Sequence, residues 1–187
     1  MMRYLHLTTI ICLLVFTAGT FMCPNDTAVA SADKIDADVK ISLEKLYAKS
    51  TAAKTLGEKA KGILVFPSIT KGGFIVGGQY GKGALLKAGK TAGYYNTIQA
   101  SYGLQAGLQK YGYAMFLMTD SAVKYLDKSS GWEVGVGPTI TIVDTGAAGS
   151  ATTTTLKSEI YAFFFDQKGL MAGIGLQGTK ITKISPK

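Results

Sequence analysis

Three short spacings in this chain have the form of chemical motifs: Asp144-Thr145-Gly146, Gly173-x-Gly175-x-x-Gly178 and Ser121-x-x-Lys124. Asp-Thr-Gly is the loop of aspartic proteases, in which two carboxylates share one proton. One copy occurs here, so Asp144 acts only if two chains pair, and a homodimeric protease is the remote functional alternative. The glycine pattern matches a dinucleotide-binding loop, but such a loop joins a strand to a helix inside a βαβ unit. Here the pattern sits in a β-rich tail, where close backbone packing explains it. Ser121 and Lys124 have the spacing of penicillin-recognising acyl enzymes without the Ser-Asp-Asn or Lys-Thr-Gly partner motifs. Ser121 reads as a helix start and Lys124 as an exposed cation.

His6, Cys12 and Cys23 all lie within the first 32 residues, and neither residue type recurs after them. A Ser-His triad and a soft-metal site are therefore excluded from the rest of the chain. Asp33, Asp36 and Asp38 cluster, but they lack the glycine turn and distal glutamate of a calcium loop. They read as carboxylates favoured by a helix N-terminus. The sequence predicts no enzyme, no cofactor and no metal.

Charge points elsewhere. The formal net charge is +8, and it is unchanged when Arg3 and Asp26 are set aside with the N-terminal segment. Such a balance attracts anionic surfaces, phospholipid headgroups among them, with about 1 kcal/mol for each Lys near the surface. Nucleic acid is not expected, because no Arg follows Arg3 and nucleic-acid recognition leans on the bidentate guanidinium fork.

The N-terminus has Arg3, an apolar run from Leu7 to Phe21, and small-residue patterns at Ala28-Val29-Ala30 and Ala30-Ser31-Ala32. This layout predicts a signal peptide over residues 1–32, cleaved after Ala30 or Ala32. The apolar run is shorter than the ~20 residues of a spanning helix. Cys23 follows Thr20-Phe21-Met22, which does not fit a lipoprotein signal. The expectation is an exported protein, periplasmic or extracellular and peripheral on a membrane, with one domain over residues 33–187.

The elements that would carry a surface site follow from periodicity. Ile35, Val39, Leu43, Leu46 and Tyr47 recur at helical spacing and give one apolar stripe. Lys34, Lys45 and Lys49 project along one flank of that stripe, with Glu44 opposite. Ser50-Thr51 marks a break or cap, and a second short helix ends before Lys61-Gly62. Beyond Gly62 short β-rich runs alternate with glycine, as antiparallel sheet does. Most of the 23 glycines fall there, many inside strands, where they mark bulges, bends or close backbone approach. One helix interrupts the strands at Asp120 to Asp127, capped by Asp120 or Ser121. Phe163, Phe164 and Phe165 are consecutive, so alternation sends Phe164 to the face opposite its neighbours and both faces must be covered. Tyr94, Tyr95, Tyr102, Tyr111, Tyr113 and Trp132 read mostly as half-buried sheet residues, with an interfacial role as the competing assignment.

The order AKGILVFPSITKGGFIVGGQYGKGALL from Ala60 to Leu86 is too particular to be generic. With a central block from Tyr94 to Leu126 and a closing block from Lys157 to Ile181, it resembles the SYLF domain, also called Ysc84 or DUF500. The chain departs from that pattern at Tyr95-Asn96-Thr97-Ile98 and Gly137-Pro138-Thr139-Ile140. The resemblance implies non-catalytic binding of membrane lipid, with phosphoinositides or other anionic lipids as ligands. The expected fold is α+β: N-terminal amphipathic helices and one internal helix packed on a strongly twisted, mostly antiparallel β-sheet or partly closed barrel. Lys34, Lys45 and Lys49 are the expected lipid contacts, with Lys71 and Lys82 in the glycine-rich turns as secondary ones. The alternative is a structural or scaffold role in the cell envelope, with an envelope protein as partner.

Overall fold

A computed structural model describes residues 31–73, 76–102, 107–127, 131–143, 158–169 and 178–186. Two helices lead: α1 (Ala32–Lys49) and α2 (Thr51–Lys59). Ser31 caps α1 by accepting from the Lys34 amide, and Ser50 caps α2 by accepting from the Ala53 amide at 3.2 Å.

Strands β1 (Gly62–Gly73), β2 (Val76–Lys87), β3 (Lys90–Tyr102) and β4 (Gly107–Leu117) follow, then helix α3 (Asp120–Tyr125). The chain continues through β5 (Trp132–Glu133), β6 (Ile140–Val143), β7 (Ile160–Gly169) and β8 (Lys180–Ile184). All eight join one sheet in the order β5-β8-β3-β2-β1-β4-β7-β6. Every pairing is antiparallel except β6 with β7. The turn Ala88-Gly89 has φ of 48° and 75°, the two positive angles of a hairpin connection matched to strand twist. Thr119, not Asp120 or Ser121, caps α3, accepting from the Ala122 amide at 3.1 Å.

Each face of the sheet has its own core. On one, Ile35, Val39, Leu43 and Leu46 of α1 and Ala53 and Leu56 of α2 pack on Val65, Ala84, Ala114, Phe116, Phe163 and Phe165. On the other lie Leu64, Phe66, Tyr95, Tyr113, Met115, Trp132, Phe164 and Ile181 with α3. Phe164 is therefore parted from its neighbours as alternation requires. Trp132 on β5 and Ile140 on β6 come from opposite edges of the sheet yet pack on the same aromatic interior. The sheet is thus a half-barrel curled around that interior, with α1 and α2 on its outer face and α3 within the curl.

Pro67 sits where β1 loses register with both neighbours, between Val65 and Ser68 on one side and Phe66 and Ile69 on the other. A bulge is where a strand accepts a residue without an N–H. It also shifts the alternation: Phe66 faces the interior, and so do Ile69 and Lys71 rather than Ser68 and Thr70.

Candidate functional site

The lysines expected to bind lipid do not form one set. The apolar stripe of α1 is spent on the core, with Val39 and Leu46 each 1% exposed, and Ile41, off that stripe, is the large apolar side chain of this helix left exposed. Lys34 stands at its N-terminal end, paired with Asp38 at 2.9 Å. Lys45 and Lys49 stand exposed at its C-terminal end, where cations complement the helix dipole.

Asp166 organises that end. Its backbone takes a φ of 50° at an irregularity in the β4–β7 ladder, which turns the carboxylate toward α1, where it accepts from Lys49 Nζ at 2.9 Å. The hydrogen bond from Lys49, with the nearby charges of Lys45 and Lys168, holds the Asp166 carboxyl below its ordinary range. Lys45, Lys49 and Lys168 therefore crowd one carboxylate and leave a local excess of positive charge.

Lys71 and Lys82 lie in strands, not turns. Lys82 is half-buried in the middle of β2. Lys71 is 8% exposed and lies between Gln79 and Gln109 across the ladder. It belongs to a buried polar layer in the half-barrel rather than to a surface. There Tyr111 donates to Gln79 Oε1, Gln79 Nε2 donates to Thr179 Oγ1 at 3.2 Å, and Thr179 donates to Gln99 Oε1 at 3.3 Å. Tyr113 donates to Thr97 Oγ1 at 2.9 Å. Burial pushes the Tyr111 phenol up to about 12. Burial, with the charge of Asp127 and its hydrogen bond, brings Tyr95 to about 12, and burial raises Tyr113 further. Phenols in that range do not exchange protons near neutrality, so the layer is a structural network. Tyr95, Tyr111, Tyr113 and Trp132 are core residues and take no interfacial role.

The motif residues separate likewise. Ser121 donates to Glu159 Oε1 at 2.8 Å in a cap network with Thr119, and Lys124 is exposed. Asp36 accepts from Thr91 Oγ1 at 2.8 Å and Tyr94 Oη at 2.9 Å, which ties α1 to the β2–β3 hairpin. Sequence reasoning missed this anchor. A groove of about 390 Å³ beside it is lined by Asp36, Val39, Leu43, Glu44 and Tyr47. Lys40 also lines it, but the two carboxylates outnumber that one cation and make the groove a poor receptor for an anionic headgroup. Among the described residues no cluster of His, Cys, Asp or Glu could hold a metal, and no helix is long and apolar enough to cross a membrane. Asp144, the stretch from Gly173 to Gln177, and the expected signal segment up to Ala30 lie outside the described residues.

A family model described as "Ysc84: Las17-binding protein actin regulator" matches residues 98–185, just under half of the chain. Over that part the chain is similar to the SYLF/Ysc84 domain. The match takes in most of the central and closing blocks, whereas Ala60 to Leu86 lies ahead of it. It counts against the expected export to a periplasmic or extracellular location, because the family it names is described as an actin regulator. No curated protein matches the chain.

Proposed function

We propose that this protein is a non-catalytic module that attaches to anionic lipid headgroups at a membrane surface, with phosphoinositides among the candidate ligands. The observation that carries the reading is the crowding of Lys45, Lys49 and Lys168 around the one carboxylate of Asp166. Each lysine brought near an anionic leaflet contributes about 1 kcal/mol, which is enough for a few of them to decide attachment. Lys82 is a further contact on the same side of the sheet, and Lys34 a distal one. Lys71 is buried and is left out of the surface set.

The test is flotation of the full chain with phosphatidylcholine vesicles, with and without phosphatidylserine or a phosphoinositide. Binding confined to the anionic vesicles, and weakened by Lys45→Glu with Lys49→Glu, is the expected result. The description of the matched family names a protein partner, which favours protein binding as the second reading. Under it the chain stays with the unfloated fraction for every vesicle composition.

A further inference from the structure

The helices cover the outer face of the sheet only where Val65, Ala84, Ala114, Phe116 and Phe163 lie. Toward the other ends of the strands no described helix covers that face. Residues directly opposite on neighbouring strands share a face, so the register can be followed across it. Ile98 stands opposite Lys180 and Tyr80, Tyr80 and Lys110 stand opposite Thr70, and Lys168 stands opposite Lys110. One row thus runs Lys180, Ile98, Tyr80, Thr70, Lys110, Lys168 across β8, β3, β2, β1, β4 and β7, and all of these residues are exposed. At ~4.8 Å per strand the row covers about 24 Å.

The rows on either side extend the pattern. Lys82 stands opposite Asn96 and Ser68 on the side nearer the helices. On the other side Ala100, Gly78 and Gly72 lead to Leu108, whose side chain lies over Gly72. Tyr80, Ile98 and Leu108 are 46%, 48% and 60% exposed, a degree of exposure for large apolar side chains that calls for an explanation.

We infer that this bare sheet face is a docking platform for an anionic lipid bilayer, with Tyr80, Ile98 and Leu108 entering the headgroup region while Lys82, Lys110, Lys168 and Lys180 meet phosphates. The inference rests on the lipid-binding reading and locates its contact surface. The face is convex, because the sheet curls around the aromatic interior on its other side. A convex face meets a bilayer along its middle strands, where Tyr80 and Ile98 stand. The lysines flank them, where long side chains reach headgroups beside an inserted apolar ridge. Charge complementarity selects the occupant. Of the carboxylates bordering the platform, Asp166 is already held by Lys49, and Glu133 lies opposite Lys180 on the edge strand β5. The platform also runs into the Lys45 and Lys49 corner through Lys168.

The test compares full-chain variants in partition to phosphatidylserine-containing vesicles at low salt. Replacing Lys110, Lys168 and Lys180 by Gln removes three contacts worth about fivefold each, an expected loss of about 100-fold. Lys87→Gln with Lys90→Gln and Lys183→Gln removes the same charge elsewhere, and its expected binding is that of the wild type. All six sites are exposed, and matching thermal melts check that each protein folds. In Tyr80→Trp the new indole shifts its emission to the blue on adding vesicles, against the constant signal of buried Trp132. A platform variant indistinguishable from the control, or an indole at position 80 that stays in water, overturns the platform and leaves lipid binding standing. A wild type that ignores anionic vesicles overturns the lipid reading itself.

Discussion

Leu46→Ala separates two uses of the first helix. In the structure Leu46 is 1% exposed and packs in the cluster with Val65, Ala84, Ala114, Phe116 and Phe163. Truncating a buried leucine costs about 2–5 kcal/mol, the transfer of its methyl groups plus the cavity left behind. The rigid sheet beneath Leu46 closes over little of that cavity, so ~3 kcal/mol is the working figure. With a urea m-value of about 2 kcal/mol per molar, the unfolding midpoint falls by about 1.5 M. The thermal midpoint falls by about 6–12 °C for a domain of this size. Vesicle binding of the folded variant stays at the wild-type level, because Leu46 meets the sheet and not lipid. The assay is urea unfolding followed by circular dichroism, run beside vesicle flotation. A midpoint unchanged to within about 0.3 M, together with lost flotation, would refute the packing argument and turn the stripe toward the membrane.

Three further outcomes follow from the same structure. Gly83→Ala places a Cβ against the Val65 carbonyl oxygen and the Phe66 ring, so it destabilises by at least ~2 kcal/mol. Gly78→Ala meets only the Gln99 carbonyl at 3.4 Å and shifts stability by about 0.5 kcal/mol or less, and paired thermal melts check the contrast. The phenols of Tyr95 and Tyr111, raised from 10.0 to about 12, are neutral in the fold while they ionise in the unfolded chain. Their stabilisation is whole below pH 10 and is lost as pH rises toward about 12, which an alkaline series of urea melts detects. Asp166 has the opposite sign: its depressed carboxyl contributes stability above the usual 3.8, lost as pH falls through its folded value. Lys49→Met returns that carboxyl toward 3.8, and carboxyl-carbon NMR titration follows it.

Local signals carried much of this fold. The α1 stripe, the Ser50 break and the split of Phe163, Phe164 and Phe165 follow from periodicity and capping alone, because neighbours in sequence set them. Strand order does not, since β8 pairing with β3 and β6 running parallel to β7 are contacts between distant segments. The site was harder for a specific reason. A straight alternation from Phe66 keeps Lys71 on the outer face, but the bulge at Pro67 moves it inside. Pro67 was the visible signal, and its consequence needed the register of both neighbouring strands. The bare row from Lys180 to Lys168 was hidden likewise, because its residues come from six strands and meet only through the ladder. Asp36 read as a helix-dipole carboxylate because Thr91 and Tyr94 lie more than 50 positions away.

The most direct test of the account is the salt dependence of partition to anionic vesicles by the full chain. Exposed lysines facing phosphates are screened as the Debye length falls from about 10 Å at 0.1 M to about 3 Å at 1 M. The account predicts strong partition to phosphatidylserine vesicles at low salt, collapse at high salt, and little binding to phosphatidylcholine at either. Partition that is equal for both lipids and indifferent to salt would contradict it.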